Sequence, residues 1–302
     1  MGRSRGARWD RINGVLLLDK PRGMTSNAAL QSARRLLNAA KAGHTGTLDP
    51  MATGLLPLTF GEATKFSADL LNADKSYRAT IKLGVTTTSG DADGTVVAIR
   101  EVSVSNEELI ETLTRFVGTI EQVPPMHSAL KHDGQPLYKL ARAGGEVARA
   151  PRQISVHRLV LVEHREDELV IDVDCSKGTY VRVLAEDIGM ALGCGAHLSA
   201  LRRTRAGRLS VDDAVTLATL ETMAPELRRA GLLPEDELLG SLATVLLDAA
   251  HTARFRQGQR LALDAEPRNS RVRVYGGGNE LLGTATINEW GVVEPQRLVT
   301  NN

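Results

Sequence analysis

The apolar and polar positions of the chain fall into short strand-like runs and longer helical stretches. Residues 13–20, NGVLLLDK, form a continuous apolar run of the length that predicts a buried strand. A turn follows at Pro21, Arg22 and Gly23, after which Thr25 or Ser26 can cap a helix through ALQSARRLLNAA. Lys41 to Pro57 is rich in Gly, Thr and Pro and predicts a loop. Residues 77–84 and 95–99 carry strand chemistry on either side of TTTSGDADG. Residues 105–117 predict a helix, with Ser105 as N-cap and Glu108 three places later completing a capping box. Residues 121–152 are polar, basic and punctuated by Pro and Gly. They predict an excursion from the core with a helical centre around Leu137 to Ala143. Strands are expected again at 154–162 and 168–174, then a helix at 180–192 and an acidic, helical connector at 215–250. In the last fifty or so residues, LALD, SRVRVYG, LLGTATIN and GVVEPQRLV are short strand-like runs between turns, the pattern of a small β-barrel or sandwich. The boundary is therefore placed near residue 250, dividing the chain into 1–249 and 250–302, with an insertion at about 124–152.

Composition changes this picture little. The chain has 302 residues, enough for one large domain and a small one. Aromatic residues are 3%, so any stacking on a nucleobase must rest on a few side chains. Cys175 and Cys194 belong to no CxxC pair or Cys/His cluster, which argues against structural zinc. The apolar run Val15 to Leu18 is too short for a signal peptide or a membrane span, so a cytoplasmic protein with free thiols is expected.

Charge adds more. The net charge is +1, but the distribution is uneven. Arg3, Arg5, Arg8 and Arg11 face one acid, Asp10. Six Lys/Arg between Met126 and Arg158 face Asp133 and Glu146. Arg202, Arg203, Arg205 and Arg208 have no acid between them, whereas Leu209 to Ala250 carries eight acids against Arg228 and Arg229. A near-neutral total can hide basic surfaces opposite an acidic one, or each cluster can simply be a solvated face.

Two segments carry candidate chemistry. In Lys41-Ala-Gly-His-Thr-Gly-Thr-Leu-Asp-Pro-Met-Ala-Thr-Gly54, glycines and hydroxyls surround one carboxylate, Asp49. Such a segment can hold a catalytic carboxylate with a ligand close to the backbone, or it can be an ordinary Asp-Pro turn. In Cys175-Ser-Lys-Gly-Thr-Tyr-Val-Arg182, a strand end leads into a helix start that suits phosphate. Arg182 there can pair with a carboxylate or grip a phosphate, or else make surface contacts with Tyr180. Tyr77 opens a strand beside Lys75 and Arg78, where it can stack on a base or be a half-buried strand residue. Lys20 and His44 are equally open. Asp91 and Asp93 are taken as loop acids.

Together these segments resemble the bacterial tRNA pseudouridine synthase B (TruB) family. The resemblance rests on GVLLLDKPRGMTS at 14–26, GHTGTLDPMATGLLPL at 43–58, KSYRATIKLGVTTTSGDADG at 75–94 and VPPMHSALKHDGQPLYKLARAGGEV at 123–147. It continues through CSKGTYVRVLAEDIG at 175–189 and LSALRRTRAG at 198–207. The resemblance implies an α+β fold: a mixed, largely antiparallel sheet with flanking helices, plus a small C-terminal PUA-type β-module. It implies isomerisation of uridine 55 in the tRNA T-loop, with no cofactor and no metal. On it, Asp49 is the catalytic carboxylate, Tyr77 stacks on the base and assists late proton removal, and Arg182 orients Asp49. Lys20 and Tyr180 support the pocket, His44 fills the space left by the extruded nucleotide, and Leu201 packs near the uracil. Lys131, Lys139, Arg142, Arg149 and Arg152 would grip phosphates of the T-stem-loop. The implied protein is a monomer that needs tRNA, no protein partner and no membrane. His127 stands where many members of the family carry Tyr or Phe, which puts a stacking contact of the insertion in question.

Three other classes use some of the same features. A tRNA chaperone would use the basic surfaces but needs no carboxylate. A guide-RNA-dependent relative would work within a multi-protein particle. A glycosidase would need a second catalytic carboxylate near Asp49.

Overall fold

A computed structural model describes residues 9–300, except residues 127, 129, 133, 138–139, 141–144 and 146. The expectations for His127, Lys139, Arg142, the helical centre of the insertion and the first eight residues therefore lie outside the described residues.

The first strands are β1 (Gly14–Lys20), β2 (Ala42–His44), β3 (Thr53–Phe60), β4 (Lys75–Leu83), β5 (Val85–Thr87), β6 (Val96–Ile99) and β7 (Gly118–Gln122). They are followed by β8 (Lys131–His132), β9 (Gln135–Pro136), β10 (Arg152–Arg165), β11 (Glu168–Cys175), β12 (Ala196–Ala206), β13 (Leu209–Ser210) and β14 (Val215–Thr216). Ten of these make one sheet in the order β14-β1-β3-β12-β4-β11-β10-β7, with β13 added to β12 and β2 to β3. The β1–β14 and β3–β12 pairs are parallel and the rest are antiparallel. The fold is thus the mixed, largely antiparallel α+β sheet that the resemblance implied.

The continuous apolar run of β1 has a physical cause: both faces of the strand are covered. Leu16 and Leu18 join one core with the helix Ser26–Leu36, while Val15 and Leu17 join another with the stretch 61–70. A third core lies between β4, β10, β11 and β12 and the helices Asn106–Arg115 and Val181–Ala191. The Ser105–Glu108 capping box is present at the start of the helix Asn106–Arg115.

One local expectation needs correction, and one segment without a predicted element proves to be a strand. The stretch Lys41 to Pro57 is not all loop, because Ala42–His44 and Thr53–Phe60 are strands. Their glycines and threonines are drawn into the sheet by pairing with distant strands, which outweighs their weak strand preference. The arginine-rich run near 202 is also a central strand: β12 lies between β3 and β4.

The second sheet comprises β15 (Ala243–Leu246), β16 (Leu261–Ala262), β17 (Ser270–Tyr275), β18 (Leu281–Ile287) and β19 (Val292–Leu298), in the order β15-β17-β18-β19-β16. Its first strand lies ahead of residue 250. It encloses its own core, including Phe255, Val272, Val274 and Ile287. An Arg271–Asp69 ion pair joins it to the short helix Ser67–Leu71. Lys65 Nζ also donates to the Leu298 carbonyl at 2.8 Å. No helix among the described residues is long and apolar enough to cross a membrane.

Candidate active site

One row of residues crosses four neighbouring strands. Lys20 on β1 faces Gly54 on β3, Gly54 faces Arg203 on β12, and Arg203 faces Tyr77 on β4. These positions are far apart in sequence, and the sheet register alone brings them into line. Gly54 has φ +98°, and a Cβ there would lie 2.3 Å from the Arg203 carbonyl oxygen. Glycine is required for this close approach.

Asp49 sits on the loop that enters β3, and the first sequence motif clamps the residues on either side of it. The buried Ser26 hydroxyl donates to the Leu48 carbonyl at 3.0 Å and accepts from the Leu48 N–H at 2.8 Å. Gly23 N–H donates to the Pro50 carbonyl at 2.7 Å. Lys20 Nζ donates to the carbonyls of Met24 (2.6 Å), Pro21 (2.9 Å) and Pro50 (3.5 Å). Thr25, and not Ser26, caps the helix through Ala28 N–H, which leaves the Ser26 hydroxyl for the Asp49 loop.

Arg182 emerges from the first turn of the helix Val181–Ala191, with 6% of its side chain exposed. Its Nε lies 3.1 Å from Asp49 Oδ2, and its Nη1 lies 3.4 Å from Asp91 Oδ2. Nη1 also donates to the Ser89 carbonyl at 3.2 Å. Asp91 is therefore not a loop acid in the sense read from the sequence. Its side chain is 7% exposed, and it accepts from the Ser89 hydroxyl at 2.5 Å and the Asp93 N–H at 3.1 Å. Asp49 keeps 40% of its side chain open, so it is the carboxylate of the pair that a ligand can reach.

The electrostatics follow from this packing. Burial pushes the Asp49 carboxyl above the usual carboxylate range, against the pull of Arg182. Burial also lowers Lys20, to about 8. His44 on β2 is lowered by burial and by the Arg203 charge, and its Nδ1 is buried without a hydrogen-bond partner among the described residues. Burial raises the Tyr77 phenol, partly offset by Arg203.

The structure therefore brings Lys20, His44, Asp49, Tyr77 and Arg182 to one site around the open Asp49 carboxylate. Tyr77 and Leu201 each pack against two of the hydrophobic cores, at their junction. Tyr180 is half-buried, and its backbone N–H and carbonyl are both held by the Gln122 side chain, at 3.0 and 3.3 Å. It lines a pocket of about 330 Å³ with Arg152, Lys177, Ile154 and Leu130. Arg149 is half-buried, and Lys131 is placed by its backbone on β8. Sequence reasoning missed Asp91 and Arg203. Nothing local separates Asp91 from Asp93, or Arg203 from its neighbouring arginines. Among the described residues, no group of three or more His, Cys, Asp and Glu is placed to hold a metal ion.

The architecture matches a class of solved structures. The chain is similar to the crystal structure of a Cbf5–Nop10–Gar1 complex, with TM-score 0.75 and 27% identity, over 94% of this chain and 84% of that one. The family described as TruB family pseudouridylate synthase (N terminal domain) matches residues 34–181. The tRNA pseudouridylate synthase B C-terminal domain matches 182–245, and the Pseudouridine synthase II TruB, C-terminal family matches 243–299. Among its sequence relatives, tRNA pseudouridine synthase B of Dechloromonas aromatica (strain RCB) is 56% identical over 291 residues, covering 96% of this chain and 97% of that protein. The protein of the same name from Burkholderia mallei (strain NCTC 10247) is 56% identical over 294 residues, covering 95% and 97%. The chain belongs to the TruB family of pseudouridylate synthases.

Proposed function

We propose that this protein converts uridine 55 in the T-loop of tRNA to pseudouridine, with Asp49 as the catalytic carboxylate. The observation that carries the reading is the open Asp49 carboxylate held by the buried, doubly paired Arg182. Both the family and the tRNA named in its relatives support it.

The reaction balances within the substrate. The C1′–N1 bond breaks, C1′ joins C5 of the same base, C5 loses its hydrogen and N1 gains one, so no co-reactant enters. Asp49 begins either by attacking C1′ or by taking a proton from C2′, and both require the ionised carboxylate. Burial opposes ionisation, and the Arg182 guanidinium works against that effect. The uridine must first leave the T-loop stack, at a cost of a few kcal/mol. Lys131, Lys139, Arg142, Arg149 and Arg152 hold the backbone, His44 fills the vacated space, and Tyr77 and Leu201 sandwich the base. Lys20 and Tyr180 support the walls, and the C-terminal sheet extends the RNA contact as a PUA-type module. The protein acts on tRNA as a monomer, in the cytoplasm, without a protein partner. A protein that only binds or refolds tRNA has no use for an arginine-braced carboxylate.

The test is tritium release from tRNA transcript labelled at C5 of uridine. Wild type releases tritium, and Asp49→Asn binds the transcript and releases none. A transcript with cytidine at position 55 gives no release from that position. Wild type that binds tRNA but releases nothing refutes the reading.

A further inference from the structure

Arg203 is the largest of the almost fully buried side chains, at 1% exposure, and nothing in the reaction outlined above uses it. A guanidinium is rarely buried without an acid, because removing its charge from water is costly. Among the described residues no ion pair with a carboxylate offsets that cost: burial lowers the group, and Tyr77 works in the opposite direction. Its Nε donates to the Leu55 carbonyl at 2.7 Å and its Nη2 to the Gly46 carbonyl at 3.2 Å. Both carbonyls belong to the segment around Asp49. Two glycines make room for it: a Cβ on Gly46 would lie 3.4 Å from Nη1, and one on Gly54 would strike the Arg203 backbone.

The sheet register sets the direction of this charge. Arg203 and Tyr77 are opposite partners in the antiparallel pair of β12 and β4. Opposite residues share one face, with Cβ atoms about 4.5–5.5 Å apart. The register thus turns the Arg203 side chain toward Tyr77, and the charge of each group bears on the other.

We propose that Arg203 is a positioning residue, which donates to the Tyr77 oxygen from its buried seat and backs the base-binding face of the cleft with a fixed positive charge. This inference rests on the isomerase reading. With an Arg203 N–H on the phenol oxygen, the phenol's own proton points into the cleft. When the C1′–N1 bond breaks by proton abstraction from C2′, its electron pair leaves with the uracil. The negative charge on that detached base then lies against a ring whose oxygen is held by a cation. As C1′ joins C5, Asp49 returns its proton to C2′. When C5 then loses its proton, the Tyr77 phenol gives its own proton to N1 and takes the one from C5, and the same cation favours the negative charge that passes through the Tyr77 oxygen between the two transfers. Anchoring Arg203 on the carbonyls of Leu55 and Gly46 also couples the position of Tyr77 to the loop that carries Asp49.

The experiment is a double-mutant cycle in single-turnover tritium release, with tRNA binding measured in parallel. Arg203→Lys is expected to slow release by about 10²-fold with unchanged tRNA affinity, the scale of a group that assists proton transfer. In the Tyr77→Phe background the same substitution is expected to change the rate by less than about twofold, because its effect passes through the missing hydroxyl. An equal loss in both backgrounds overturns the proposal. A second measurement needs no turnover. In protein labelled with 3-fluorotyrosine, the Tyr77 fluorine signal is assigned by its disappearance in Tyr77→Phe and then titrated. It is expected to ionise at higher pH in Arg203→Met, or in Arg203→Gln if the Met variant does not fold; an unmoved titration overturns the coupling. Wild type without release is instead the failure of the isomerase reading, and the fluorine titration still judges Arg203.

Discussion

Asp91 and Arg182 are 3.4 Å apart, and the same guanidinium holds Asp49 at 3.1 Å on its Nε edge. One arginine therefore serves two carboxylates of unequal exposure. The buried one braces the arginine, and the open one faces the cleft.

Removing the brace should damage both stability and chemistry. Breaking a buried ion pair typically costs about 3–5 kcal/mol. The second carboxylate and the Ser89 carbonyl remain for Arg182, so Asp91→Ala is expected near about 3 kcal/mol in urea unfolding. Its single-turnover rate is expected to fall with tRNA affinity retained. A rate equal to wild type would separate Asp91 from catalysis.

Ser26 should matter through Leu48 alone. Its hydroxyl makes two buried hydrogen bonds to that residue, which directly precedes Asp49. Ser26→Ala leaves the Leu48 N–H and carbonyl without these partners, at about 1–3 kcal/mol. The loosened loop lowers kcat more than it raises KM. A variant that loses stability but keeps kcat would show that the loop is held well enough by Lys20 and Gly23.

Lys20 makes a pH prediction with a definite sign. Its folded pKa is about 8 and its ordinary value is 10.5. Between those values the unfolded chain holds the proton and the folded chain does not, so this lysine adds stability as pH rises. Lys75, also lowered to about 8, acts in the same direction. Unfolding of wild type and Lys20→Met, compared from pH 8 to 10.5, is expected to show the difference moving in favour of wild type. A constant difference would show that Lys20 is not desolvated.

Salt dependence tests the basic rim. Each phosphate contact adds about one unit to the slope of log affinity against log salt. Arg152 lines the Tyr180 pocket at the start of β10. Arg152→Ala is expected to weaken tRNA binding and flatten the slope by about one unit. An unchanged slope would remove Arg152 from the RNA contact.

Much of this protein could be read in the linear sequence because the signals were local. The buried run of β1, the capping box at Ser105 and Glu108, and the strand-like runs after residue 260 depend on near neighbours. The long stretch around Asp49 also stood out on composition alone, as did the Arg182 helix start. Local signals failed at β2, which joins the sheet only through β3, and at β12, whose strand character comes from pairing with a partner distant in sequence.

The sequence by itself therefore determined which segments carry chemistry and which make regular structure. Only the tertiary structure decided which like residues matter. Asp91 and Asp93 share one loop, and packing of the Arg182 helix against it buries the first. Arg202 and Arg203 are adjacent, yet strand alternation sends the first to Asp19 and the second into the core beside Tyr77. Burial and register are set by pairings between residues far apart in the chain, and these selected one acid and one arginine from otherwise equivalent neighbours.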